Sequence, residues 1–187
     1  MPTLARVVLA CLVAGVILSP AQAAPRPATM RDVIAMTLPR GFWSDLDEEL
    51  FEAPGGEHFA VLVNRGDLAA NVRRFELWLF DARACLKSCA PKVVARGDSP
   101  DNFPGLDQVR WAGPGALVYL GRDDQGRQQA FRYDLASDRP TQLTRAGLGV
   151  RQFDVSADGR KLVYMEHAAE RPLFSSPEAR SRGVEAG

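Results

Sequence analysis

The sequence is poor in the residues that most often carry catalysis, metal binding or strong charge. It has two histidines and three cysteines among 187 residues, and 8% of the residues are aromatic. Lys plus Arg and Asp plus Glu both number 23, so the formal net charge is zero. Nucleic-acid-binding domains usually carry a basic excess, and disordered acidic chains carry the opposite. We therefore expect a folded protein with no nucleic-acid partner.

Sequence motifs that would indicate a reaction are also missing. No Gly-x-Ser-x-Gly nucleophile elbow, glycine-rich phosphate loop or cluster of metal ligands occurs in the chain. The two histidines, His58 and His167, have no Ser or Cys partner at a recognisable spacing, so we predict that both are structural or exposed. The sequence predicts no catalytic residue, no cofactor and no metal site.

The chain does contain enough apolar sequence for one domain with many turns. Hydrophobic residues make up 46% of it, and it has 16 Gly and 13 Pro. A chain of this length can bury a sizeable core. We divide it into a leader, a Pro-rich lead with a short helix at 24–40, a β-rich region at 41–165 and a polar tail at 166–187. The spacing of Thr29 and Asp32 is typical of a capping box at the start of that helix.

The leader has the organisation of an export signal. Arg6 supplies a positive start, residues 7–18 form an apolar run, and Ala-Gln-Ala at 21–23 matches a signal peptidase site. The run is shorter than the roughly 20 residues that a membrane-spanning helix needs. We predict that residues 1–23 are a cleaved signal peptide and that the protein is periplasmic or secreted, with no membrane contact after cleavage. The alternative is a buried N-terminal helix.

Two cysteines, Cys85 and Cys89, lie four positions apart between two strand-like runs. In an exported chain such a pair can form a disulfide that closes a local loop. A metal site would need more ligands. We predict a disulfide between Cys85 and Cys89, with two unpaired thiols as the alternative.

A turn followed by an apolar strand occurs three times. The best-preserved copy is Ser-Ala-Asp-Gly at 156–159, followed by Leu-Val-Tyr-Met at 162–165. Asp-Gly favours a tight turn because Gly tolerates positive φ, and the apolar run predicts a buried strand. The weaker copies have Pro-Gly-Gly-Glu at 54–57 and Gly-Pro-Gly at 113–115.

A second repeated strand has the pattern aromatic-x-aromatic-Asp. It occurs as Trp-Leu-Phe-Asp at 78–81 and as Phe-Arg-Tyr-Asp at 131–134. Apolar side chains occupy both faces of the 75–81 run, which predicts a strand buried between two layers. The residues that mark the repeated unit, all predicted to be structural, are Trp78, Phe80, Asp81, Trp111, Tyr119, Phe131, Tyr133, Asp134, Ser156, Asp158, Gly159 and Tyr164.

The copies recur at an interval typical of a β-propeller blade. Leu62, Val118 and Val163 lie 56 and 45 residues apart. A unit of roughly 45 residues with four short strands is typical of propellers, in which each small sheet stacks on its neighbour. We predict an all-β fold: an incomplete β-propeller with about two to three four-stranded antiparallel blades, preceded by the signal peptide and a short helix. A β-sandwich is the alternative.

The Ser-x-Asp-Gly-x-x-Leu-x-Tyr run at 156–164, the aromatic-x-aromatic-Asp strands and the Gln-Leu-Thr at 142–144 resemble the N-terminal propeller of the prolyl oligopeptidase family of serine peptidases. They are also similar to TolB-type propellers. The helix at 29–36 resembles the one that precedes the first blade in the lasso-peptide isopeptidase group. The first two turns depart from the family pattern, since neither has Ser-x-Asp-Gly.

The resemblance implies catalysis by a separate C-terminal α/β-hydrolase domain with a Gly-x-Ser-x-Gly elbow. The nearest string here, at 97–101, lacks the second Gly. We therefore predict that this chain alone does not hydrolyse peptides. It is either a fragment or truncated product whose propeller gates peptide access to a missing catalytic domain, or a stand-alone periplasmic scaffold that binds a protein partner. A third reading is a degraded coding sequence without function.

Overall fold

The computed structural model describes residues 26–39, 50–101 and 103–169. The predicted signal peptide and most of the predicted tail lie outside these residues. Thr29 caps the short first helix, because its side chain accepts from the Asp32 amide while the Asp32 carboxylate accepts from the Thr29 amide. The elements are α1 (Met30–Ala35), β1 (Leu38–Pro39), β2 (Leu50–Glu52), β3 (His58–Asp67), β4 (Val72–Asp81), α2 (Ala82–Cys85), β5 (Lys92–Ser99), β6 (Leu106–Trp111), β7 (Ala116–Arg122), β8 (Gln128–Asp134), β9 (Arg139–Gln142), β10 (Val150–Val155) and β11 (Leu162–Glu166).

The strands form three antiparallel sheets in chain order. In the first sheet, β3, β4 and β5 pair in succession, and the short strands β1 and β2 both pair with the outer side of β3. The second sheet has the order β6-β7-β8-β9. The third consists of β10 and β11 among the described residues. The prediction of an all-β fold built from small antiparallel sheets is confirmed, whereas a closed ring is not seen in this part of the chain.

The second sheet lies between the other two and contributes to two hydrophobic cores. The core shared with the first sheet contains Ala60, Leu62, Phe75, Leu77, Leu79, Val94, Leu106, Val109, Leu117, Tyr119 and Tyr133. The core shared with the third sheet contains Ala112, Ala116, Val118, Leu120, Ala130, Ala146, Val150 and Phe153.

Strand β7 is the element that separates the two cores. Leu117 and Tyr119 point to the first core, while Ala116, Val118 and Leu120 point to the second. Side chains alternate between the faces of a strand, so a strand with apolar residues at every position can serve two layers. The first six residues of β7 are accordingly buried.

Strand β4, which the sequence predicts to be buried on both faces, is buried on only one. Phe75, Leu77 and Leu79 lie in the first core, but Trp78 and Phe80 are half-buried. That part of the prediction is wrong because, among the described residues, no second layer covers the outer face of the first sheet. The apolar pattern of β4 shows that both faces tolerate burial, not that both are covered.

The run at 162–165 forms a strand as predicted, but the prediction that it is buried is also wrong. Val163, Tyr164 and Met165 are 68%, 44% and 53% exposed. Strand β11 pairs only with β10 and has no described neighbour on its far edge. Only Leu162 of its apolar residues packs against the second core.

Two side chains tie strands β2, β6 and β10 of the three sheets together. The Trp111 indole Nε1 donates to the Phe51 carbonyl of β2 at 2.9 Å. The Gln108 amide donates to the Arg151 carbonyl of β10 at 2.9 Å and accepts from the Phe153 amide at 3.2 Å. The sheets therefore stack through equivalent strands, which is a propeller-like arrangement.

Candidate functional site

The three predicted turns close with the same backbone hydrogen bond, at one end of the sheet stack that we call the turn end. In each case the residue just before the turn, or the first residue of the turn, donates its amide to the carbonyl of a residue that begins the next strand or directly precedes it. The donor–acceptor pairs, each at 2.9 Å, are Ala53–His58, Ala112–Ala116 and Ser156–Lys161.

This bond fixes how the sheets correspond to one another. Residues 58, 116 and 161 are equivalent, so Leu62 corresponds to Leu120 and Met165, separated by 58 and 45 residues. The sequence spacing had instead matched Leu62 with Val118. The two-residue shift keeps the same face of the strand, so the repeat itself stands and its register is corrected.

The third turn is held by its own polar side chains. The Ser156 hydroxyl donates to Asp158 Oδ1 at 2.6 Å, and the same carboxylate oxygen accepts from the Arg160 amide at 3.0 Å. The Ser156 hydroxyl oxygen also accepts from the Lys161 amide at 3.0 Å. The Ser156 hydrogen bond, followed by that of the Arg160 amide, lowers the pKa of Asp158. These polar groups are used within the turn.

Gly159 is required in this turn for two reasons. Its φ is 67°, in the region that side-chain-bearing residues rarely adopt. A Cβ at this position would also lie 3.0 Å from both Cβ and the carbonyl oxygen of Ala112, the residue directly before the second turn. The signature glycine therefore lets the second and third turns approach each other.

Asp81 and Asp134, which end the aromatic-x-aromatic-Asp strands, cap the next turn in the same way. Asp81 Oδ1 accepts from the amides of Arg83 and Ala84 at 2.8 and 2.9 Å. Asp134 Oδ1 does so from the residues two and three positions later, at 3.0 and 3.1 Å. These amides hold the pKa of both carboxyl groups below the ordinary range. Both aspartates shape loops.

The loop after Asp81 contains α2 and a disulfide between Cys85 and Cys89. The corresponding connection in the second sheet is a tight turn that ends with Asp138 at a φ of 56°. The tyrosine hydroxyl of Tyr133 hydrogen-bonds to Asp138, and Lys92 Nζ lies 2.7 Å from the same carboxylate. Lys92 belongs to β5, so this contact joins the first two sheets.

The remaining aromatic signature residues pack within the sheets. The rings of Tyr119 and Phe131 stack with their centroids 5.9 Å apart. Burial raises the pKa of Tyr119 to about 12, so this hydroxyl is protonated at neutral pH. The Trp78 indole donates to Glu76 Oε2 at 2.9 Å within its own strand.

A cleft of about 520 Å³ opens at the turn end between the first two sheets. His58, Arg132 and Asp134 supply its polar groups, and small or apolar residues supply the rest. Arg132 Nη2 lies 3.7 Å from Asp134 Oδ2, which is a weak, half-exposed ion pair. No Ser or Cys lies in the lining that the structure describes, so the cleft has a polar rim without a nucleophile.

The opposite end holds a second cleft, of about 500 Å³, lined in part by Asp101, Arg122, Arg127 and His167. Ser99, which is 1% exposed, is not part of the lining, and its hydroxyl donates to Oδ1 of the lining residue Asp101 at 2.8 Å. Its bond to Asp101, with the Phe103 amide and Arg122, lowers the pKa of that carboxyl group. No hydrogen bond joins Ser99 and His167 among the described residues, so these side chains do not form a catalytic triad.

Sequence reasoning missed one buried polar network beside this cleft. Gln129 is fully buried, and its Oε1 accepts from the Thr144 hydroxyl at 2.8 Å and the Ala146 amide at 3.0 Å. Its Nε2 donates to the Ala146 carbonyl at 2.9 Å. The Gln-Leu-Thr at 142–144 was the only available signal, and it gave no hint of a partner in β8.

Membrane and metal sites can be assessed for the described ranges. Within residues 26–39, 50–101 and 103–169, no helix has the length and apolar character needed to cross a membrane. The same ranges contain no group of three or more His, Cys, Asp or Glu side chains placed to hold a metal ion.

Comparison with known proteins gives two partial structural similarities. No protein-family model matches the chain, and no curated protein matches it. The apo form of the isopeptidase AtxE2 is similar with a TM-score of 0.49 and 20% identity, over 62% of this chain and 19% of that one. TolB from Acinetobacter baumannii is similar with a TM-score of 0.46 and 20% identity, over 67% of this chain and 28% of that one. The chain thus spans less than a third of either, and similarity at this level carries no argument about activity.

Proposed function

We propose that this chain is the non-catalytic propeller region of an exported serine peptidase of the prolyl oligopeptidase type. The observation that carries the proposal is the stack of antiparallel sheets that repeat one turn and one strand-capping aspartate. In peptidases of that type the propeller limits which peptides reach a separate catalytic domain. Hydrolysis of peptides or isopeptides would then belong to the full-length enzyme.

The two clefts support a role without chemistry for this region. The cleft with His58 has no Ser or Cys in its described lining, and the Ser99 hydroxyl behind the other cleft donates to Asp101. A serine nucleophile needs a base within hydrogen-bond reach and a donor for the developing oxyanion. The described residues bring no such set together, so they are suited to form walls around a substrate path.

An active-site-directed fluorophosphonate probe and the coding DNA test this proposal together. We expect the purified chain to remain unlabelled, and the product of a reading frame extended beyond Gly187 to be labelled on a Gly-x-Ser-x-Gly serine. A known serine peptidase is the positive control. Labelling of the 187-residue chain itself would contradict the proposal, and so would the lack of any downstream segment that encodes such an elbow.

A stand-alone periplasmic scaffold is the second candidate, because apolar side chains of the first and third sheets are accessible to a protein partner. In this case the purified chain should be monodisperse and should melt cooperatively. An aggregated or molten product would count against it, since open sheet edges promote aggregation. Both candidates place the protein in the periplasm or outside the cell.

A further inference from the structure

The outer face of the first sheet carries a cluster of aromatic side chains. Phe59 and Phe80, paired across β3 and β4, stack with centroids 4.8 Å apart and planes 7° apart. Trp78 meets Phe80 edge to face at 6.5 Å. Val61 and Val93 pair with Trp78 from the strands on either side. We call these five half-buried residues the aromatic face.

The side chains of the aromatic face contain few polar atoms that need a hydrogen-bond partner. Its one polar atom, Trp78 Nε1, already donates to Glu76 at 2.9 Å. Glu76 in turn accepts from Arg96 at 3.1 Å at the margin of the face. Covering the face would therefore bury apolar area without leaving a donor unsatisfied, which is the situation that favours association.

A second accessible surface, partly apolar, lies on the third sheet. Val163 and Met165 of β11 are 68% and 53% exposed and lie on the opposite face of the strand from Leu162, which packs against the second core. Their cross-strand partners are Asp154 and Gln152 of β10, and all four side chains line a groove of about 160 Å³. We call Val163, Met165 and this groove the open strand face.

The residues of the aromatic face are equivalent to residues of the second sheet that pack against the first sheet. The shared turn bond relates Phe59 and Val61 to residues 58 positions later in β7. The capping aspartates relate Trp78 and Phe80 to residues 53 positions later in β8. Those equivalents, all packed in or against the first core, are Leu117, Tyr119, Phe131 and Tyr133.

The residues of the open strand face are equivalent to the residues of the first and second sheets on which the following sheet packs. Val163 and Met165 are equivalent to Val118 and Leu120, which receive the third sheet, and to Ala60 and Leu62, which receive the second. Among the described residues, the first and third sheets therefore present the two complementary halves of an interface that already forms between neighbouring sheets of the chain.

We propose that copies of this chain associate head to tail, with the aromatic face of one copy stacked on the open strand face of the next. The contact is heterologous, because each face meets the other and not itself. Such a contact would place the third sheet of one copy against the first sheet of the next, as neighbouring sheets are placed within the chain. This inference rests on the repeated sheet contact and is independent of any catalytic domain.

Analytical ultracentrifugation of the purified chain over a range of concentrations tests this inference. We expect the mass to rise from one chain towards two as concentration increases. Phe80→Asp and Val163→Asp should each weaken association by about a hundredfold or more, because each buries an unpaired carboxylate. Leu86→Asp, at a side chain that is 87% exposed on the disulfide loop, is the matched control and should leave the mass unchanged.

Circular dichroism melting tests whether each variant is folded. If Phe80→Asp does not fold, Val93→Asp is used in its place. The decisive sample is an equal mixture of Phe80→Asp and Val163→Asp. Each variant alone lacks one of the two faces, whereas the mixture contains one intact aromatic face and one intact open strand face. We expect a 1:1 complex that is weaker than the wild-type assembly and absent from either variant alone.

Several outcomes would overturn the inference. They are a wild-type chain that stays monomeric at every concentration, a mixture that stays monomeric, and association that is lost in only one of the two variants. The first outcome would show that the two faces do not bind each other. None of these results bears on fluorophosphonate labelling, so the two proposals fail separately.

Discussion

Strands β4 and β7 are both central strands, yet only β7 is buried on both faces. Each pairs with a neighbouring strand on both sides, although the strand of the second sheet that corresponds to β4 is β8. Leu117 and Leu120 of β7 face different cores, whereas Trp78 of β4 faces outward and is half-buried. The difference follows the neighbouring sheets, because the second sheet packs against one on each side and the first sheet against one among the described residues. In a stack of repeated sheets, the number of neighbouring sheets therefore determines whether one or both faces of a strand are buried.

The largest expected effect comes from truncating equivalent apolar side chains in different sheets. Leu120 is 0% exposed and Met165, its equivalent, is 53% exposed. Leu120→Ala should lower the free energy of unfolding by about 2–5 kcal/mol, because it leaves a cavity in the second core. Met165→Ala should cost less than about 1 kcal/mol at concentrations where the chain is monomeric. Urea unfolding measures the free energy of unfolding of both variants. Equal losses would contradict the view that Leu120 is buried between sheets and Met165 is not.

The buried amide of Gln129 is the next most sensitive feature. Gln129→Ala leaves the Thr144 hydroxyl and both backbone groups of Ala146 without these partners. We expect a loss of about 1–3 kcal/mol, the usual cost of unsatisfied buried polar groups. Gln125→Ala, on an exposed loop of the same sheet, is the control and should change stability by less than about 0.5 kcal/mol. A similar result for both would contradict the role given to this network.

The contact between the second and third turns can be isolated with two glycines that share a positive φ. Gly159 and Gly126 have φ of 67° and 75°, but only the Cβ added at Gly159 meets another residue within 4 Å. Gly126→Ala should cost about 1–2 kcal/mol through backbone strain alone. Gly159→Ala should cost roughly 1 kcal/mol more, because Ala112 must move. Equal losses of stability in thermal unfolding of the two variants would show that the second and third turns are not in close contact.

The smallest effect concerns the capping aspartate of the second sheet. Hydrogen bonds from backbone amides lower the pKa of Asp134 below its ordinary value of 3.8. The stabilisation from this carboxylate is therefore present above about pH 4 and is lost as the pH falls through the lowered folded-state pKa. Asp134→Ala should lower the melting temperature at pH 7 and flatten its decline in acid. The melting temperature of both proteins, measured between pH 2 and 7, tests this, and parallel curves would contradict it.

Much of the local structure could be predicted from the sequence. The turn at 156–159 depends on local chemistry, since Ser156, Asp158 and Gly159 supply the hydrogen bonds and the φ within four residues. The all-β class followed from the recurrence of such turns. The wrong predictions concern burial, because the apolar runs at 75–81 and 162–165 resemble the one in β7, while their coverage depends on sheets that are distant in sequence.

The candidate site could be predicted less well. The sequence predicts no catalytic residue, and the only lining residues of the two clefts that it singled out as possible catalytic groups were the two isolated histidines, His58 and His167. The contacts that organise the stack, such as Trp111 with Phe51 and Gln108 with Arg151, join residues 60 and 43 positions apart. Spacing within a repeat does not encode such pairings, because they arise only after the sheets have docked.

Amide hydrogen exchange in β4 and β7 of the Val163→Asp chain tests the account most directly. Both strands are hydrogen-bonded on two sides, so they differ mainly in whether one or two faces are covered by a neighbouring sheet. We expect the β7 amides to exchange more slowly than those of β4 and to approach the rate set by global unfolding. Equal protection of the two strands, or slower exchange in β4, would contradict the central position of the second sheet.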